Sequence, residues 1–291
     1  MPRPQAPPEK PPAPPKAEPL PPAPDAALVE KTDAGPLPII APDGRKPWQV
    51  YARPFDTADH RPRIAVLIVG LGLSGAANEA AINDLPGAVT LVFNPYATNL
   101  EDWIARARAA GHEVLLSLPM EPTDYPRVDP GPETLLTSLD SKQNLDRLRW
   151  VLSRVTGYVG VVSSAGSRFT TSKGDLLPIL DEVRSRGLMF VDSRTTDQSV
   201  AASLAKSIGL PRSVSDVVLD LQASRDAIDQ RLQRLETLAR QNGVAVGITS
   251  DVYPVTIERV AIWIATLDKK GLALAPVSAT ADRQPDRQAL Q

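Results

Sequence analysis

Cysteine is absent from this 291-residue chain, and histidine nearly so, with only His60 and His112. The first absence excludes disulfides, thiolate zinc sites, iron–sulfur clusters and a cysteine nucleophile. The second leaves imidazole chemistry only two residues to draw on. Strong net charge is missing too: 32 Lys and Arg against 34 Asp and Glu give a formal charge of -2, too weak a field to gather nucleic acid or anionic lipid. No apolar stretch approaches the ~20 residues of a membrane helix; the longest, Ile64 to Leu73, contains two glycines. Met1 is followed by proline and charge instead of the apolar core of a signal peptide. Two expectations follow, a cytoplasmic protein or one whose N-terminal anchor lies outside this chain.

Proline is abundant, and 17 of the 30 fall within residues 1–54. Residues 1–24 carry too little apolar surface to offset the entropy of ordering and are expected to be a disordered, polyproline-II-like spacer; a ligand for a proline-recognising domain is the alternative. Residues 25–61 interleave Leu28, Val29, Ile39, Ile40, Trp48, Val50 and Tyr51 with prolines and read as a strap laid on a domain surface. The domain itself is expected over residues 62–279, with a disordered tail over 280–291.

From Arg63 onward short apolar runs alternate with helical periodicity, the signature of repeated βα units around a mainly parallel sheet. The expected strands are Ile64–Val69, Val89–Phe93, Glu113–Leu118, Tyr158–Val162, Leu188–Val191, Val214–Leu219, Val244–Ile248 and Leu272–Val277. Helical stripes run through Leu145, Leu148, Val151, Leu152 and Val155, through Ile228, Leu232, Leu235 and Leu238, and through Ile257, Val260, Ala261, Ile264 and Leu267. Ser141 and Ser224 are the expected N-caps, and Gly111, Gly187, Gly243 and Gly271 sit where helices end. Seven or eight such units suggest an α/β fold, a (β/α)7–8 barrel that is closed or partly open, with an open doubly wound sheet as the alternative. In either case the chemistry belongs at the carboxyl ends of the strands.

Gly70-Leu71-Gly72-Leu73-Ser74-Gly75 matches the G-x-G-x-x-G of dinucleotide sites and leads from a strand to a helix. The ribose-binding acidic residue that should end the next strand is absent, since Val89–Phe93 runs into Asn94-Pro95. A tight turn that needs glycine for backbone reasons competes with nucleotide binding.

Three segments redirect the reading: Gly111-His112-Glu113-Val114-Leu115-Leu116-Ser117-Leu118-Pro119-Met120-Glu121-Pro122, Gly166-Ser167-Arg168-Phe169-Thr170, and Phe190-Val191-Asp192-Ser193-Arg194-Thr195-Thr196. Together with Asp129-Pro130-Gly131, Leu135-Leu136-Thr137 and Val218-Leu219-Asp220 in the same order, the chain resembles the divergent polysaccharide deacetylase family of bacterial envelopes over roughly residues 62 to 277. The resemblance implies a distorted (β/α)7–8 barrel of the polysaccharide deacetylase type. For active relatives it implies a divalent metal that activates water against an acetyl group on a glycan. Where the family pattern has an Asp-Asp pair, this chain has Val69-Gly70; where it has two histidines, this chain has Ser164 and Asp251. Valine can neither ligate a cation nor accept a proton, so the resemblance points to a deacetylase-like fold without that activity.

Asp251, Asp192, Asp220 and Glu121, near strand ends, could supply an all-oxygen site for Mg²⁺ or Ca²⁺. His112 opens a strand at its amino end, away from the expected mouth, and His60 reads as surface. At the mouth, Ser163, Ser164, Arg168, Asp192, Ser193 and Arg194 could bind sugar hydroxyls or a glycan carboxylate, with Tyr96, Tyr125 and Tyr253 as stacking faces. Equally, they could brace the loops. The expectation is a non-catalytic glycan-binding or scaffolding module, a pseudoenzyme of the periplasm or cell envelope, held there by an anchor outside this chain. Its expected partner is an envelope glycan or envelope protein, with no nucleic acid, no membrane span and no cofactor. The alternatives are an active hydrolase that removes acetyl groups at a non-standard site with a divalent metal, and a nucleotide-binding enzyme using Gly70–Gly75.

Overall fold

Short apolar runs too brief for helices become strands, and the amphipathic stretches between them become helices, in a computed structural model that describes residues 17–285. A 3-10 turn (Ala26–Leu28), a hairpin of β1 (Val29–Thr32) and β2 (Gly35–Pro38), and the one-turn helix α1 (Pro47–Val50) come first. The repeating units follow: β3 (Arg63–Leu71), α2 (Gly75–Asp84), β4 (Thr90–Phe93), α3 (Leu100–Ala109), β5 (Val114–Met120), α4 (Ser141–Leu152), β6 (Gly160–Ala165) and α5 (Lys173–Ser185). They continue with β7 (Met189–Asp192), α6 (Ala201–Ser207), β8 (Arg212–Val214), β9 (Val217–Val218), α7 (Arg225–Asn242), β10 (Val244–Ile248), α8 (Pro254–Ile264) and β11 (Ala273–Leu274).

The strands form one parallel sheet in the order β8-β7-β6-β5-β4-β3-β10-β9, with β11 added to β3. This is a curled parallel half-barrel. Its two edge strands, β8 and β9, are consecutive in sequence, so the run Val214–Leu219 expected as one strand is instead broken in two. The break has a physical cause: Ser215 donates its N–H to Asp192 O (2.8 Å) and Asp216 donates to Val246 O (2.8 Å), serving opposite edges of the sheet. The gap that this leaves is filled from the C-terminal side. Ser213 and Thr280 share a hydroxyl hydrogen bond (2.8 Å), Gln284 bonds the N–H and C=O of Val214 (2.6 Å each), and Arg212 pairs with Asp282 (2.5 Å).

Residues 280–284 are therefore hydrogen-bonded into the barrel, where the sequence suggested a free tail; the rest of that tail, 286–291, lies outside the described residues. Likewise the expected strand Leu272–Val277 pairs only over Ala273–Leu274 and then turns into a 3-10 segment, Val277–Thr280. At the other end, residues 17–24 of the expected spacer lie against the barrel. Leu20 is 6% exposed, its N–H donates to Arg108 O (2.9 Å), and Arg108 donates to Pro21 O (2.8 Å). Residues 1–16 are outside the described residues. Ser224 caps α7, but the N-cap of α4 is Asp140 and not Ser141: Asp140 and Gln143 form a reciprocal capping box.

Alternation along each strand sorts the core into two. Ile64, Val66, Ile68, Leu91, Phe93, Leu116, Val161 and Phe190 face the helices. Ala65, Leu67, Val92, Leu115, Val162, Val191, Val246 and Ile248 face inward, joined there by Leu28, Ala41 and Tyr51 of the strap and by Val277. The strap thus supplies a floor at the amino ends of the strands. All carboxyl ends are left at the opposite, loop-lined mouth.

Candidate functional site

The mouth is built on two tied pairs of strand ends. In the first, β3 and β10, Val69 donates its N–H to Thr249 Oγ1 (3.0 Å). Gly70 adopts a left-handed backbone, φ +83°, and a Cβ placed there would lie 2.5 Å from Asp251 Oδ1. That oxygen also accepts the N–H of Val252 (2.7 Å). Gly72, φ +104°, has no more room, because its Cβ would meet Ala97 Cβ at 2.5 Å, and its N–H donates to Asn78 Oδ1 (2.7 Å). Packing against this chain's own atoms accounts for two of the three glycines of the fingerprint-like loop, Gly70 and Gly72. Ser74 caps the following helix through Ala77 N–H (3.4 Å).

The second pair is β6 and β7. Ser163 Oγ and Ser193 Oγ are 3.0 Å apart, Ser193 N–H donates to Ser163 Oγ (2.9 Å), and the Thr195 hydroxyl donates to Ala165 O. Asp192 is buried: Oδ1 accepts Arg194 N–H (2.8 Å) and Oδ2 accepts the Ser199 hydroxyl (2.7 Å). Burial pushes its carboxyl above the usual range, against those hydrogen bonds. Ala165 (φ +57°) and Arg194 (φ +54°) are left-handed without being glycine, so both strands end in strained turns. Ser163, Asp192 and Ser193 therefore point into the joint between the loops. Ser164 is half-buried, with no side-chain hydrogen-bond partner among the described residues. Arg194 reaches Asp197 (3.1 Å), and Arg168, 57% exposed, reaches Glu121 (3.4 Å). Glu121 in turn accepts the N–H and hydroxyl of Thr137 (2.6 and 2.7 Å).

The four carboxylates that might have shared a cation are each engaged separately. Asp220 accepts Ser250 N–H (2.5 Å) and the Thr256 hydroxyl (3.0 Å), while Asp192, Glu121 and Asp251 hold the contacts given above. Among the described residues, no three His, Asp or Glu side chains come together as a metal would need. Val69 and Gly70 offer no side-chain donor atom, and Ser164 offers a neutral hydroxyl. This donor set does not fit a catalytic divalent cation.

His112 lies at the floor, as its position before β5 implies. It is buried with Nδ1 2.9 Å from Val89 O and Nε2 3.1 Å from Ile82 O, and burial holds it below the ordinary imidazole value. His60 is exposed. Of the three tyrosines, Tyr96 is committed elsewhere, accepting Glu133 N–H (2.9 Å) and tilting against Trp150 (5.4 Å between centroids), and Tyr125 is half-buried. Tyr253 is 39% exposed. Sequence reasoning missed the seating of Asp251 over Gly70 and the outward exposure of Leu73 and Leu221. The one local signal was at Leu73, which directly precedes the serine cap Ser74.

A family model described as divergent polysaccharide deacetylase matches residues 66–281. The crystal structure of uncharacterized protein ATU2773 from Agrobacterium tumefaciens C58 is similar at a TM-score of 0.82 and 38% identity, over 84% of this chain and 99% of that one. Uncharacterized protein YibQ of Escherichia coli is 25% identical over 195 residues, 67% of this chain and 60% of its own length, so only part of that relative is matched. An uncharacterized protein of Haemophilus influenzae is 24% identical over 194 residues, 67% of this chain and 68% of its own. No helix among the described residues is long and apolar enough to cross a membrane.

Proposed function

The chain belongs to the divergent polysaccharide deacetylase family, and from that premise we propose that it is a non-catalytic glycan-binding module of the bacterial cell envelope. One observation carries the reading. Position 70 is a left-handed glycine whose side-chain volume is taken by the Asp251 carboxylate, so the strand end where the resemblance calls for an acidic pair has this one carboxylate, with no imidazole or further carboxylates gathered around it among the described residues. The mouth nevertheless stays polar. Ser164, Arg168 and Arg194 are accessible there, on loops stiffened by Ser163, Asp192 and Ser193. Fixed hydroxyl and guanidinium groups suit sugar hydroxyls and the carboxylates of modified glycans.

The test is calorimetric titration with soluble envelope polysaccharide fragments, alongside an acetate-release assay. Weak binding without acetate release is expected, with Arg168→Ala or Arg194→Ala reducing binding while leaving the melting curve intact. A specific metal at about 100 times its dissociation constant would stabilise the fold by ~2.7 kcal/mol, and no such shift is expected with Zn²⁺, Mn²⁺ or Mg²⁺. Stoichiometric metal, lost in Asp251→Ala together with acetyl hydrolysis, would establish an active hydrolase instead.

A further inference from the structure

Exposed large apolar side chains are few, and they are unevenly placed. Among the described residues they are Ile40, Leu73, Val128, Leu221 and Tyr253. Ile40 belongs to the strap, whereas the other four follow strand carboxyl ends. Leu73, Leu221 and Tyr253 come from the adjacent strands β3, β9 and β10, with α8 packed between α2 and α7. The Asp220 carboxylate binds two of these loops together through Ser250 N–H and the Thr256 hydroxyl. Leu73 and Leu221, each 66% exposed, flank this part of the rim.

Asp251 sits in its midst, seated over the bare backbone of Gly70. It is exposed, one oxygen accepts only its neighbour's N–H, and it has no cationic partner among the described residues. The mouth arginines differ in this respect. Arg127 pairs with Asp124 (2.6 Å), Arg168 with Glu121 (3.4 Å), Arg194 with Asp197 (3.1 Å) and Arg225 with Glu258 (3.1 Å). The rim thus offers an exposed carboxylate without a cationic partner among the described residues, a tyrosine ring two residues on, and aliphatic surface to either side. That combination complements a cation carried on a ring with apolar faces. An ammonium meets the carboxylate and the π-face, while C–H faces cover leucine and tyrosine. A neutral acetamido group leaves the charge unmet, and an anionic sugar is repelled by it.

Resting on the glycan-binding reading above, we propose that the rim formed by Leu73, Leu221, Asp251 and Tyr253 selects amino sugars whose amine is free, that is, deacetylated stretches of a glycan. The experiment is titration of the full chain with chitooligosaccharides of one length, fully N-acetylated or fully deacetylated, at mildly acidic pH where the amines are protonated. The deacetylated oligomer should bind about fivefold more tightly, the size expected of one exposed ion pair with a cation–π contact, and added salt should erode the difference. Asp251→Asn should bring the two ligands to parity with an unchanged melting temperature, and Tyr253→Ala should weaken both. Equal binding of both oligomers by the wild type, or a preference that survives Asp251→Asn, would overturn the selectivity and leave the glycan-binding module standing. Failure to bind either oligomer, together with failure to bind envelope fragments, would remove both.

Discussion

At the floor of the barrel, charge is buried and turned inward. Arg108 donates to the carbonyls of Tyr51 (3.0 Å), Gly157 (3.0 Å) and Pro21 (2.8 Å), with Tyr51's ring 5.1 Å beneath its guanidinium; only Nε lacks a partner. Glu113, fully buried, accepts Arg53 N–H (3.1 Å), Ser278 N–H (3.0 Å) and the Ser278 hydroxyl (2.5 Å). At the mouth, Arg127, Arg168 and Arg225 form ion pairs from exposed positions, and Asp251 pairs with no cation among the described residues. The same residue types thus hold the chain together at one end and remain available to a ligand at the other. Burial makes the difference, because a buried ion stripped of its partners costs several kcal/mol while an exposed pair contributes about 1 kcal/mol or less.

The contrast predicts unequal penalties. Tyr51→Ala removes a buried ring from the interior and the platform under Arg108, and should cost about 3–5 kcal/mol in urea unfolding; a loss below about 1 kcal/mol would mean that the strap merely rests on the barrel. Gly70→Ala should cost about 1–3 kcal/mol, from its positive φ and the collision with Asp251. In an Asp251→Ala background part of that loss should return, since only the backbone strain remains. If Gly70→Ala is neutral, the mouth is looser than its geometry implies and position 70 is open to a side chain.

A smaller effect concerns pH. His112 is held neutral by burial, below the ordinary imidazole value of 6.5, even though both ring nitrogens face carbonyls. The unfolded chain takes up a proton that the native floor refuses. Stability is therefore fully present above about pH 6.5 and lost as pH falls below it. Between about pH 7.5 and 5.5, wild type should lose on the order of 1 kcal/mol more than His112→Gln does. Glu113 and Asp192, raised by burial, slope the other way, but they are common to both proteins and cancel. The smallest change is expected at the mouth, where Arg168→Ala should alter stability by no more than about 0.5 kcal/mol while weakening glycan binding.

Much of this architecture is written locally. The helical stripe of Ile228, Leu232 and Leu235, the cap at Ser224 and the left-handed glycines at 111, 187, 243 and 271 each depend on neighbours a few residues away, and each is legible from sequence. The broken edge strand is not, since Val214–Leu219 is an apolar run and only the curl of the sheet asks it to serve two edges. Nor is the strap's role as a floor legible, because Leu28 and Tyr51 are isolated apolar residues until the barrel gives them an interior to fill. At the mouth the sequence reveals what Val69 and Gly70 cannot supply. That Asp251 occupies the space above Gly70 follows only from the pairing of β3 with β10, 180 residues apart between Val69 and Thr249.

Glu113 joins parts of the chain that are made at very different times. Arg53 precedes it by 60 residues, but Ser278, which supplies two of its three hydrogen bonds, follows it by 165. On a ribosome adding about 5–20 residues per second, the strap and the first strands emerge many seconds before the segment that completes the carboxyl's partners. During that interval the floor holds a carboxyl lacking its full set of hydrogen bonds, and the edge of β8 lacks Thr280 and Gln284. Closure of this barrel accordingly waits for Ser278 to emerge, and a chain stopped short of Ser278 keeps both its floor and its seam open.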